Sequence, residues 1–140
     1  MSSITIETSR GVSNEERQLP LTVEGVRSAI QALDGDRTTV ATLGDSGGTD
    51  SFMMIGGGPD KFVVDFAIHN SETDLPHFYS LIMHPKAEGT EARMFGGNLT
   101  DLPVRSLVCR EAAEKVAIEF AETGTVRLDE NWEDDEAYTA

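Results

Sequence analysis

The sequence predicts an α+β fold: an antiparallel sheet of about five to six strands with two helices packed on one face. Three observations predict it. Two segments space their apolar residues as an amphipathic helix does. Between them lies a run of segments rich in β-branched and aromatic residues. Short Gly-rich links join those segments, which suits hairpins and hence antiparallel pairing. Two amphipathic helices beside one such sheet both cover the same face.

Taken in order, "ITIE" (Ile4 to Glu7) reads as a short strand. The polar, turn-rich "TSRGVSNEERQLP" reads as a loop. Thr22 opens a helix to about Leu33, because Val23, Val26, Ile30 and Leu33 share one face, and Asp34-Gly35-Asp36 ends it. Strands follow at Thr38 to Leu43 and Ser51 to Ile55. "KFVVDFAI" alternates most clearly: Phe62, Val64, Phe66 and Ile68 share one face, and Lys61 and Asp65 the other. That apolar face is expected in the core, against Val116 and Phe120 of the second helix. His77 to Met83, Glu91 to Phe95 and Val104 to Val108 complete the set. The second helix spans about Arg110 to Thr123, with Ala113, Val116, Ala117, Phe120 and Ala121 as its stripe and Gly124 as its stop. The 140 residues are read as a single domain. Residues 1–20 (strand and loop) and 129–140 (acidic tail) are expected at its periphery.

The formal net charge is −14, from 25 Asp plus Glu against 11 Lys plus Arg. Such a surface repels phosphate backbones and anionic lipid, so neither nucleic acid nor membrane is expected as a partner. A basic protein is electrostatically favoured, although acidity also serves plain solubility. Cys109 is the only cysteine, so no disulfide forms within the chain. The opening "MSSITIETSR" lacks the basic start and apolar run of a signal peptide, and no apolar stretch is long enough to span a membrane. A cytoplasmic location is expected.

"GDSGG", Gly44 to Gly48, spells the surroundings of the nucleophile in trypsin-like proteases. The chemistry is missing. Those enzymes place a histidine base before the serine, whereas His69, His77 and His84 all follow Ser46. Two β-barrels also need roughly 200 residues or more. Gly, Asp and Ser between two strands are ordinary turn residues. "IGGGPDKF" has neither a Walker nor a GxGxxG spacing, and a strand follows it, so no helix N-terminus can hold a phosphate. The histidines match no helical pair, and His77 and His84 would point to opposite faces of one strand. No metal and no cofactor are expected. Cys109 starts a helix, where a thiolate can be favoured, but no histidine is paired with it, and a packed residue is the simpler reading. A nucleic-acid deaminase would need HxE and PCxxC, against "HNS" at His69 and one cysteine here. No catalytic constellation emerges, and no enzymatic activity is expected.

The chain from Gly57 to Trp132 resembles a known family. The features are "GGGPDKFVVDF", then "MFGGNLTDLPVRSLV", then a helix ending "IEFAETG", then the lone tryptophan in "ENWED". Their order and spacing resemble the immunity protein 1 family, the deaminase-associated immunity proteins of bacterial polymorphic toxin systems. The resemblance implies a non-catalytic cytoplasmic α+β protein that binds and neutralises a cognate toxin, often a nucleic-acid deaminase. Relatives commonly carry a proline between the Thr-Gly and the tryptophan; "TGTVRLDENW" does not. The departure leaves the path of the tail, and with it the position of Trp132, open.

A toxin acting on nucleic acid carries a basic substrate cleft, and an acidic inhibitor can occlude it with fast, charge-steered association. The candidate partner-binding residues are Trp132, Glu133, Asp134, Asp135 and Glu136: the only tryptophan, a favoured interface anchor, followed by an acidic run. The bland alternatives are a tryptophan that closes the core edge and a tail that is merely solvated. The rival function is a small cytosolic regulatory or ligand-binding protein that uses the Gly-rich turns. The neighbouring gene separates the two: a secreted protein with a C-terminal toxin domain favours the immunity reading.

Overall fold

The computed structural model describes residues 3–10, 13–44, 51–70, 72–73, 75–95 and 98–134. The first expectation it corrects concerns the N-terminus. The polar stretch read as a loop is half of a hairpin: β1 (Ser3–Arg10) pairs along its whole length with β2 (Ser13–Pro20). Strand pairing uses only backbone groups, so an edge strand can be polar nearly throughout. "SNEERQLP" shows no apolar alternation because one lateral edge and most of its side chains meet water. Leu19 alone reaches in to pack on the core. β1 is interior to the sheet, and its Ile4 and Ile6 are buried.

α1 (Val23–Ala32) follows. Thr22 caps it, its Oγ1 accepting the Gly25 N–H at 3.0 Å. After Leu33 the Asp34 carboxylate accepts the N–H groups of Asp36, Arg37 and Thr38 at 2.8, 3.0 and 3.1 Å, and so turns the chain into β3 (Thr38–Leu43). Burial pushes the Asp34 carboxyl up, but these three donors together outweigh it and hold it below the usual carboxylate range. Next come β4 (Phe52–Gly57), β5 (Phe62–Asn70), β6 (Leu75–Leu81), β7 (Thr90–Phe95) and β8 (Asn98–Pro103). A 3₁₀ turn (Val104–Ser106), α2 (Arg110–Thr123) and β9 (Trp132–Asp134) complete the order. Gly124 ends α2 in a left-handed conformation, its N–H on the Phe120 carbonyl.

The main sheet has seven strands in the order β2-β1-β3-β4-β5-β6-β9, and every neighbouring pair is antiparallel. It is wider than expected, because β2 and β9 extend its two edges. Both helices pack on one face, against Ile4, Leu43, Met53, Ile55 and Phe66. The fold class is therefore α+β, as the sequence predicts.

The segment Glu91 to Phe95 is a strand, β7, but it does not join the main sheet. It pairs with β8 in a separate two-stranded ribbon that covers part of the opposite face. The expected strand from Val104 to Val108 is instead the 3₁₀ turn, followed by a single bridge between Val108 and Phe62. The strand expected from His77 to Met83 is β6, which runs from Leu75 to Leu81, so His84 does not share a strand with His77. On β5, Phe62, Val64 and Phe66 are buried as expected, and Phe66 meets Phe120 edge-on at 6.0 Å. Val116 packs on the same cluster. Ile68 does not follow them and is 36% exposed; it lies past Ala67, the last β5 residue paired with β4.

The Gly-rich turn is explained by packing. Gly56 lies under the Phe95 ring of β7, where a Cβ would collide with it. Gly58, at φ +91, approaches the Leu33 carbonyl at the end of α1, so a side chain would be both strained and obstructed. Close approach of backbone to neighbours, not a ligand, accounts for these glycines.

Candidate functional site

Trp132 reaches its place through a short chain of contacts after α2. The Thr123 hydroxyl bonds the carbonyls of Glu119 and Thr125, each at 2.8 Å. The Arg127 N–H donates to Glu119 Oε2 at 3.0 Å, and Val126 is buried. Asp129 then builds a turn: its carboxylate accepts the Asn131 N–H at 2.9 Å and its carbonyl the Trp132 N–H at 3.1 Å. Ile82 donates its N–H to the Asn131 carbonyl at 2.7 Å, and β9 begins.

β9 pairs with the end of β6: Trp132 with Leu81, Glu133 with Ser80, Asp134 with Tyr79. Successive residues of a strand face opposite sides, so Trp132 and Asp134 lie on the helical face and Glu133 on the other. Trp132 is half-buried, its ring 6.1 Å from that of Phe66 at 60°. It also lines an open cleft of about 550 Å³ between α2 and the 127–131 turn. Ile82, Met83, Ala112 and Val116 supply the apolar lining, with Lys115, Glu119, Arg127 and Asp129 charged around it. The tryptophan thus closes the core edge and faces a cleft at once.

The two acids that follow are not simply solvated. Arg105, on the 3₁₀ turn, grips Glu133 with both arms of its guanidinium: Nε to Oε2 at 3.1 Å and Nη2 to Oε1 at 2.8 Å. This hydrogen bonding holds the Glu133 carboxyl below the usual carboxylate range, against a smaller opposing effect of burial. Asp134 bonds His77 Nε2 at 2.8 Å, and the imidazole lies 4.9 Å from the Tyr79 ring. The remaining two residues of the predicted set, Asp135 and Glu136, lie outside the described residues, as does Ser46.

Sequence reasoning missed Arg105 and His77, the partners of these acids. Nothing local marks them, since Arg105 lies 28 residues from Glu133 and His77 57 from Asp134. Elsewhere, Glu91 bonds Arg93, which also reaches Asp60 at 3.2 Å; Lys61 is 3.6 Å from Glu91. This network holds β7 to the β4–β5 turn. Among the described residues no group of three or more His, Cys, Asp or Glu could hold a metal ion. Cys109 is a free, half-buried thiol before α2 and makes no capping bond. No helix among the described residues is long and apolar enough to cross a membrane.

The described residues form an α+β fold in which β9, carrying Trp132, Glu133 and Asp134, is an edge strand of the main antiparallel sheet. Residues 15–133 of the 140-residue chain match the family model of immunity protein Imm1. The protein belongs to the Imm1 immunity protein family. No curated protein and no solved structure matches the chain significantly. The matched region is longer than the resemblance carried by the motifs, and it begins within β2.

Proposed function

We propose that this protein is a non-catalytic, cytoplasmic immunity protein that binds and neutralises a cognate bacterial toxin of a polymorphic toxin system. The observation that carries the reading is the family match over residues 15–133. The toxin is a basic, nucleic-acid-acting protein, a nucleic-acid deaminase first of all. The supporting observation is the net charge of −14, which complements a cleft built for a polyanion. The whole chain acts as one immunity domain. Binding centres on β9, with Trp132 as the anchor and the acids that follow it in the sequence, Glu133, Asp134, Asp135 and Glu136, as its charged contacts. The half-buried ring at the mouth of a cleft favours this placement. The pairing of Glu133 and Asp134 with Arg105 and His77 gives those two acids a further task, holding β9 in place.

The rival reading, a small cytosolic regulatory or ligand-binding protein that uses the Gly-rich turns, finds no support at the turn after β4. The approaches to Gly56 and Gly58 are filled by Phe95 and by the end of α1.

Co-expression with the C-terminal domain of each toxin encoded beside the gene tests the proposal. The protein is expected to restore growth and to elute with its toxin as a one-to-one complex, leaving the toxin chemically unchanged by mass spectrometry. Loss of protection in every such pair, or a covalently altered toxin, would overturn it.

A further inference from the structure

β9 is laid down in a register that turns part of its backbone outward. The Ile82 N–H donates to the Asn131 carbonyl at 2.7 Å, so these two residues form a hydrogen-bonded pair at the start of the β6–β9 ladder. In an antiparallel ladder such pairs alternate with pairs whose backbone groups point away from each other. Trp132–Leu81 is therefore of the outward kind, Glu133–Ser80 of the bonded kind and Asp134–Tyr79 outward again. The Trp132 N–H is taken by the Asp129 carbonyl at 3.1 Å. The Trp132 carbonyl and both backbone groups of Asp134 face away from β6, and among the described residues no strand lies beyond β9 to meet them.

Such a row of backbone donors and acceptors is a template for one more strand. Ordering a loose edge on binding costs free energy, but β9 is already held, by Trp132 on Phe66, Glu133 on Arg105 and Asp134 on His77. All three contacts are made by side chains, so they fix the strand without covering its outer backbone. Charge selects what can add there. From Asp129 to Glu136 the sequence holds six acids and no base. A second copy of β9 would set the same acids against them, and like charges facing each other across a strand pair are destabilising. A basic strand meets opposite charge instead. The other edge strand, β2, mixes Glu15 and Glu16 with Arg17 and ends in Pro20, which has no N–H to give.

We infer that β9 receives an extended, basic segment of the partner, which adds to the seven-stranded sheet as one further strand. Its backbone bonds to the outward groups of Trp132 and Asp134. Its side chains alternate between the two faces, so every second one falls on the helical side, beside Trp132 and the apolar cleft. The toxin as the source of that segment rests on the proposed function; the geometry and charge of the edge do not.

The test therefore needs no toxin. Uniformly ¹⁵N-labelled protein is titrated with a short peptide of alternating valine and lysine, blocked at both ends, and in parallel with its valine–glutamate counterpart. The lysine peptide is expected to give saturable shifts centred on Asn131, Trp132, Glu133 and Asp134 and on the end of β6, and the Asp134 amide should lose its fast exchange with solvent. The glutamate peptide should do neither. Two substitutions separate backbone from side chain. Asp134→Ala removes the carboxylate and keeps the N–H, whereas Asp134→Pro removes both at a position whose N–H makes no bond to β6. Asp134→Ala should still bind the lysine peptide, and Asp134→Pro should not. Should Asp134→Pro unfold, the exchange of the Asp134 amide in the unaltered protein decides. Equal responses to the two peptides, shifts centred elsewhere, an Asp134 amide still in fast exchange at saturation, like behaviour of the two variants when both are folded, or no saturable shift would each overturn the assignment. A failed toxin rescue with a positive lysine-peptide titration would sink the toxin reading alone. The converse pattern would sink the added strand alone.

Discussion

Phe66 is fully buried and meets two aromatic rings, Phe120 of α2 at 6.0 Å and Trp132 of β9 at 6.1 Å. Both contacts are edge-on or nearly so, the arrangement that ring quadrupoles favour. One side chain therefore joins the middle of the sheet, the helical layer and the edge strand. Phe66→Ala is expected to cost about 3–5 kcal/mol, the range for a buried phenylalanine truncated to alanine. Urea unfolding followed by circular dichroism measures it, and a change near zero would contradict this packing. That Phe66 belongs to the core was legible from the alternation of "KFVVDFAI". That Ile68, two residues on, escapes the core was not. Alternation gives the face of a residue, but only the tertiary fold says where along the strand that face is covered.

At the scale of elements, β9 is the sensitive one. Three residues form only three cross-strand pairs, too few to hold a strand without side-chain help. Help comes from each residue: Trp132 on Phe66, Glu133 on Arg105, Asp134 on His77. The Glu133 carboxyl is lowered from its ordinary value of 4.5. A depressed acid stabilises the fold above its unfolded pKa, and that contribution is lost as the pH falls through the folded value. Acidification below about 4.5 should therefore loosen β9 and shift Trp132 emission to the red before global unfolding. In Arg105→Ala the emission should be red-shifted already at neutral pH, and this acid-dependent component should vanish. Identical acid profiles for the two proteins would refute the role of the pair. At the opposite edge, β2 carries Glu15, Glu16 and Arg17 and ends in Pro20, a composition that discourages further strands from adding there.

For the whole molecule the governing quantity is charge. A net −14 on 140 residues raises the encounter rate with a basic partner at low ionic strength, and salt screens it over a Debye length of about 8 Å at physiological strength. Association with the toxin, followed by stopped flow, should slow about tenfold or more as salt is raised, the lower end of known steering effects. Replacing Asp135 and Glu136 by Asn and Gln should slow association and flatten its salt dependence. Trp132→Ala should chiefly speed dissociation, once its effect on the melting temperature of the free protein is subtracted. Glu133 and Asp134 are better left intact in this series, because their substitution also loosens β9. An association rate indifferent to salt would remove electrostatic steering from the mechanism.

The sequence by itself determined the two helices, their stops, the central strands and the α+β class. It also determined the absence of a histidine ahead of Ser46 and carried the family resemblance. These depend on local periodicity, on turn chemistry and on the order of residues along the chain. Tertiary structure decided the rest. It made a strand of the polar Ser13–Pro20, set the β7–β8 ribbon apart from the main sheet, and turned the expected strand at Val104 into a 3₁₀ turn. It also placed Arg105 on Glu133 and His77 on Asp134. Each of these follows from pairing between segments distant in sequence, where backbone hydrogen bonds and opposite charges meet only after the chain has folded. A polar strand has no hydrophobic signature of its own, and an ion pair spanning tens of residues leaves no local pattern to read.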